Sequence, residues 1–442
     1  MNIQLSDHFT YKKLLRFTIP SIATMIFTSI YGVVDGFFVS NFVGKTPFAA
    51  VNFIMPFLMI LGAVNIMFGT GGSALISKTM GEGDIVKANR LFSMLTYISL
   101  ALGIIIAVLG IVFTRPIVAL LGADGEMLDD CVTYGRIILA VLPAYMLQQE
   151  FQSFFVTAEK PQLGLIASVS AGVANMVLDA LLIAVFRWGI VGAAVATATS
   201  QLIGGLFPII YFSRPNTSLL KLTKASFDGK AFLKTCSNGC SELISHISMS
   251  LVGMLYNVQL MKYAGEDGVA AYGVLMYVSM IFVGAFIGYS MGTAPVVGYH
   301  YGAQNHSELK SLLKKSLVII SAFSVGMLIL GETLARPLSL VFVGYDADLL
   351  SLTLRAFAIF SFSFLFAGFP IYGSSFFTAL NNGLVSLLIA SLRTLVFQIA
   401  AILILPMIWK VDGIWISLIV GELLATVVAA AFLVSMRKKY HY

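Results

Sequence analysis

The sequence predicts an all-α polytopic membrane protein: twelve transmembrane helices in two parallel six-helix repeats. Three observations carry the prediction. Hydrophobic residues fill 58% of the 442 positions and charged residues only 11%, against about 25% charged in soluble domains. Twelve apolar stretches are long enough for a hydrocarbon core that takes ~20 helical residues to cross. The chain is also written twice, at an offset of about 221 positions.

In the first half the stretches fall at about 14–40, 48–75, 91–113, 131–155, 162–185 and 189–213. In the second they fall at about 233–260, 269–297, 311–332, 350–375, 384–406 and 411–436. Gly44, Gly71, Gly81 and Arg115-Pro116 reappear as Gly265, Gly292, Gly302 and Arg336-Pro337, and Gly192 and Gln201 fall opposite Gly413 and Glu422. Because six is even, both halves start on the same side of the membrane. An axis along the membrane normal therefore relates them. The expected division is a first six-helix unit at 1–213, a cytoplasmic linker at 214–232 and a second unit at 233–442, with the linker a tether that lets the units rock.

Placing the N-terminus inside puts 18 of the 27 Lys and Arg in cytoplasmic loops, with Lys45, Arg115, Arg187, Lys262, Arg336 and Lys410 outside. Both termini are thus expected in the cytoplasm. The net charge of +6 reflects that topology. No basic run interleaved with aromatics stands apart from the loops, so nucleic acid is not an expected partner. The polar opening up to Lys13 lacks the apolar core and cleavage site of a signal peptide. Three cysteines build no disulfide framework, and Cys236 and Cys240, one turn apart with His246 farther on, read as small packing residues.

Ionisable residues inside the spans carry the chemistry, since each costs about 2.5–3.5 kcal/mol at a helix centre on insertion scales. Asp35 near the outer end of the first span and Asp179 near the outer end of the fifth lie at similar depth and can meet. Asn175, four residues before Asp179, shares its helix face. Two carboxylates together in low dielectric cannot both ionise cheaply, so one takes a proton or the pair takes a cation. The second copy has Tyr256 and apolar residues around Ile402 at these places, so the scaffold folds without the acids. Arg393, mid-span in the eleventh helix, calls for a partner in Glu242 or Glu422; the three form a candidate polar or substrate site. Glu150, among Gln148, Gln149 and Gln152, either lines a water-filled cavity or snorkels toward the cytoplasmic surface.

The run Val33-Val-Asp35-Gly-Phe-Phe-Val-Ser-Asn-Phe-Val-Gly44, with Pro20 upstream, resembles the first helix of multidrug and toxic compound extrusion (MATE) transporters. Asn175-Met-Val-Leu-Asp179 is similar to their fifth-helix motif and Gly192-Ala-Ala-Val-Ala-Thr197 to their sixth. Gly298-Tyr-His-Tyr-Gly-Ala-Gln-Asn305 and Ser391-Leu-Arg-Thr-Leu look most like the bacterial multidrug-exporter branch. The resemblance implies V-shaped lobes in a bacterial cytoplasmic membrane, drug resistance, and export of organic, often cationic, amphiphiles in exchange for Na⁺ or H⁺. It implies a coupling site at the residues matching Asp35, Asn175, Asp179 and Thr197, with a fourth-helix tyrosine matching Tyr134, and a first-helix bend at Pro20. Na⁺ is the one metal such a cluster would hold. No organic cofactor is implied, and a monomer is expected. A second-lobe ion site in some members pairs a Glu matching Glu242 with a tenth-helix Asp that the segment 366–372 lacks.

The 34 Phe, 17 Tyr and 19 Met suit an adaptable pocket for organic cations. The alternative is a lipid-linked saccharide flippase of the same broader superfamily. Its pyrophosphate cargo would favour several Lys or Arg in the cavity, where only Arg393 lies deep. An enzyme is not expected: no zinc-binding helix, nucleophile elbow or phosphate-cradling loop occurs.

Overall fold

The computed structural model describes residues 3–442. Met1 and Asn2 and the side chains of Ser40 and Lys45 lie outside the described residues, and with them the topological reading of Lys45. Every regular element is helical. The first half comprises α1 (Tyr11–Phe42), α2 (Lys45–Gly81), α3 (Ile85–Leu120), α4 (Gly125–Ala140), α5 (Leu142–Thr157), α6 (Pro161–Leu178) and α7 (Gly189–Ser213). The second comprises α8 (Gly229–Gly302), α9 (His306–Val343), α10 (Ala347–Phe360), α11 (Phe364–Ala379), α12 (Gly383–Ser391), α13 (Gln398–Ser435) and the short α14 (Arg437–Tyr440).

Among the described residues nine helices are long and apolar enough to span a membrane. They become ten when α4 and α5, bent by 59° about Val141, count as one broken span. Two of the ten are double. Gly265 (φ 64°) breaks α8, and Lys410 (φ 51°) breaks α13. Dividing each at its break recovers the twelve spans expected. The left-handed backbone at Gly265 costs a glycine little; Lys410 adopts it at a strained price.

The halves meet through repeat-mates. Gly81 at the end of α2 abuts the Tyr299 carbonyl, while its counterpart Gly302 abuts the carbonyl of Lys78, the counterpart of Tyr299. A Cβ at either glycine would run into backbone. This reciprocal contact is what a two-fold axis along the bundle produces, and it lets α2 and α8 approach backbone to backbone. Gly71 and Gly239 tighten the same seam against the carbonyls of Thr235 and Met67, and Asn381 Nδ2 donates to the Ala74 carbonyl at 3.1 Å. The seam is thus closed at the end of the bundle that carries the N-terminus.

The buried core is uneven. One cluster, from Val39 to Ala194, belongs wholly to the first half. The larger joins Leu5, Phe92 and Phe154 of the first half to Tyr289, Phe364 and Trp415 of the second.

The segment 214–228, between α7 and α8, lies along the first half. It is pinned along α3: Lys221 N donates to Asn89 Oδ1 at 2.7 Å, Thr223 N to Ser93 Oγ at 2.8 Å, and Leu220 is fully buried. Hydroxyl and amide side chains on the first turns of α3 offer acceptors to backbone amides of a peptide outside any helix.

Candidate ion-coupling site

The sequence pairs that suggested a site are brought together. Asp35 on α1 lies beside both Asp179 and Asn175. Tyr134 on α4 faces both aspartates and lies against Thr197 on α7. Four helices therefore converge on one cluster. Asp179 is fully buried, Asn175 and Tyr134 nearly so, and Asp35 half-buried.

Local backbone sets this up. At Asp179 the helix that began as α6 widens into a π-helical segment, Asp179–Val185, a form that recurs at functional positions. Asn175 stays in register one turn earlier. Pro20 lies inside α1, where its missing N–H cannot serve the carbonyl of Arg16 one turn earlier, and its own carbonyl accepts from Thr24 Oγ1 at 2.8 Å.

The polar accounting at the cluster is open. Among the described residues no donor reaches Asp35 Oδ1, Asn175 Oδ1, either carboxylate oxygen of Asp179, Thr197 Oγ1 or Gln201 Oε1, all of them buried. Buried acceptors in such number carry a large desolvation cost unless a proton or cation joins them. Two carboxylates, an amide oxygen and a hydroxyl are hard oxygen donors. A cluster of two acids and neutral oxygens, hard donors all, suits a monovalent ion or a proton.

The cluster opens into a cavity of about 630 Å³ at the end of the bundle opposite the closed seam. Tyr31, Tyr145, Gln149 and Gln201 line it from the first half, and Tyr277, Met280 and Phe342 from the second. Tyr31 and Gln201 were missed in the sequence. Both sit four residues from a recognised site residue, Tyr31 before Asp35 and Gln201 after Thr197, so the i,i+4 rule could have found them.

The second half answers the cluster with neutral groups. Tyr256, at the place of Asp35, places its hydroxyl 2.9 Å from Gln398 Oε1 and 2.7 Å from Ser417 Oγ. Gln398 precedes Ile402 by four residues, as Asn175 precedes Asp179. The side chains of Tyr256, Gln398 and Ser417 satisfy one another through hydrogen bonds.

Arg393 finds its partner in Glu422: Nε lies 2.9 Å from Oε2, and Nη2 lies 2.9 Å from Oε1. Glu242 is close enough to feel the guanidinium. Arg393 sits in the second π-helical segment, Leu392–Phe397. Glu150 departs from both expectations. It is fully buried, it does not line the cavity, and no donor among the described residues reaches either oxygen. It turns toward Ser99 on α3, away from the face that carries Gln149 and Gln152.

Two helical halves related by an axis along the bundle, sealed at one end and parted at the other by a cavity with buried acids, define a membrane transporter and not an enzyme. The chain belongs to the MATE family: the family model described as MatE matches residues 20–181 and again 243–404. The paired match falls on the duplication. The chain is 28% identical over 436 residues to the multidrug export protein MepA of Staphylococcus haemolyticus, covering 97% of this chain and 94% of that one. Against the multidrug export protein MepA of Staphylococcus aureus (strain MSSA476) the identity is 24% over 430 residues, with 97% and 94% covered. Its fold matches a solved structure described as the outward-facing conformation of a multidrug resistance MATE family transporter of the MOP superfamily. The TM-score is 0.94 at 23% identity, with 100% of this chain and 98% of that chain covered. It is a multi-pass membrane protein of the MATE efflux class, whose members are ion-coupled antiporters.

Proposed function

We propose that this chain exports organic, often cationic, amphiphilic compounds in exchange for Na⁺ or H⁺ bound at Asp35, Asn175, Asp179, Thr197 and Tyr134. The observation that carries the reading is the set of donor-less buried oxygens opening onto the inter-half cavity. The likeness to MepA multidrug exporters supports the cargo class. The six-helix units at 1–213 and 233–442 act as the moving lobes, both termini face the cytoplasm, and the chain works as a monomer.

In an outward-open state the cation neutralises the aspartates. A cationic substrate held by their charge is thereby released, because a ligand shifts an equilibrium by its differential affinity for the two states. Pro20, which interrupts the backbone ladder of α1, gives that helix a place to bend as Asp35 changes charge. Among the described residues no Lys or Arg lines the cavity, a lining that suits a cationic cargo better than a pyrophosphate-bearing one.

The test is reconstitution into liposomes with separately imposed pH and Na⁺ gradients and a fluorescent organic cation as cargo. One gradient alone should drive transport, and Asp35→Asn or Asp179→Asn should abolish gradient-driven export in a folded protein. Undiminished export in both variants would sink the assignment.

A further inference from the structure

The residues ahead of α1 are bound to both halves at the closed end. Leu5 N donates to Glu159 Oε1 at 2.7 Å, in the connection between α5 and α6 of the first half. Phe9 N donates to Glu308 Oε1 at 2.9 Å, and His8 Nδ1 lies 2.6 Å from Glu308 Oε2, on the first turn of α9 in the second half. Lys315, two turns further along α9, donates to the Phe9 carbonyl. Leu5 and Phe9 are fully buried in the larger core, and Glu308 is 6% exposed.

The segment is folded on itself between its anchors. Asp7 N donates to the Gln4 carbonyl at 3.2 Å, Gln4 N to Asp7 Oδ2 at 2.9 Å, and Asp7 pairs with Lys13 at 2.7 Å. Neither glutamate belongs to the ion-coupling cluster or to the cavity. Both spend buried or partly buried carboxylate oxygens on backbone amides of this short peptide, and charge-assisted bonds of that kind are the stronger ones.

We propose that residues 5–9 are a strap that holds the two halves shut at this end, with Glu159 and Glu308 as its positioning residues in the transport cycle. Four residues span at most ~14 Å even when fully extended, and this stretch is turned. When the halves part here, Glu159 and Glu308 draw away from each other and the strap has to leave one of them. Leu5 and Phe9 then lose their sockets together with the hydrogen bonds. The strap thus adds to the stability of the state closed at this end and weighs against opening it. The inference rests on the alternating opening of a transporter, whichever ion drives it.

The experiment reads opening directly. Ser77 is fully buried, with its hydroxyl against Gly298 across the seam. In the full-length chain with Cys131, Cys236 and Cys240 changed to alanine, the thiol of Ser77→Cys reports exposure of the seam. Its maleimide labelling rate is measured in detergent with no ion gradient, so the outcome is independent of ion coupling. Glu308→Ala, and the milder Glu308→Gln combined with Glu159→Gln, should raise that rate on the order of tenfold, the effect of about 1.4 kcal/mol. Arg355→Gln, which breaks the ion pair with Asp412 at the opposite end, should leave it unchanged. An unchanged rate in the double glutamine variant overturns the strap, as does an equal rise in Arg355→Gln.

Discussion

The Arg393–Glu422 pair makes a quantitative prediction about how the second half tolerates charge. The guanidinium donates to one carboxylate through three hydrogen bonds, two from Nε and one from Nη2, and the two side chains are 17% and 10% exposed. Breaking a buried pair by removing one partner costs about 3–5 kcal/mol, whereas replacing both by apolar groups is often neutral. Glu242 changes the balance between the two single variants. Glu422→Met leaves Arg393 with a second carboxylate nearby, and the expected loss falls to about 1–2 kcal/mol on the scale of a charged hydrogen bond. Arg393→Met leaves two neighbouring acids with no cation, and the full ~3–5 kcal/mol is expected. The double variant should be more stable than Arg393→Met alone. Denaturation of the solubilised protein, read as a double-mutant cycle, gives all three numbers. If Glu422→Met costs as much as Arg393→Met, Glu242 is not a stand-in partner, and the reasoning fails.

Tyr256→Phe strips Gln398 and Ser417 of their shared hydroxyl; about 1–3 kcal/mol of stability should be lost to the unsatisfied buried amide, while ion-driven transport in liposomes keeps its coupling. Leu220→Asp should release the linker from α3, and limited trypsin digestion should then cut at Lys221 or Lys224 faster than in the parent.

The duplication, the spans and the aspartate pair were legible because each leaves a periodic or compositional mark: a fixed offset, an apolar run, an acid where an acid is costly. The partner of Arg393 was legible to within two candidates for the same reason. Neutral partners leave no such mark. Gln398 and Ser417 are ordinary polar residues in sequence, and only the meeting of three helices around Tyr256 shows that they substitute for an acid cluster. The break at Val141 was hidden because Pro143 suits a helix start as well as a kink. The pinning of the linker depends on Asn89 and Ser93, 132 and 130 positions away from their partners, which no local pattern reports. Glu150 was misjudged from its glutamine neighbours, since adjacent residues on a helix point to different faces.

The uneven core bears on how such a chain assembles. The larger cluster draws side chains from both copies, so neither copy encloses a complete interior of its own. Cutting the chain between Ser213 and Gly229 would leave each piece with a full set of six spans and a raw face where Phe68 had met Phe232 and Gly81 had met Tyr299. Cooperative folding units follow buried contacts rather than gene boundaries. What is duplicated is a six-span segment, but the larger interior is shared between the copies and only the smaller cluster lies wholly within the first.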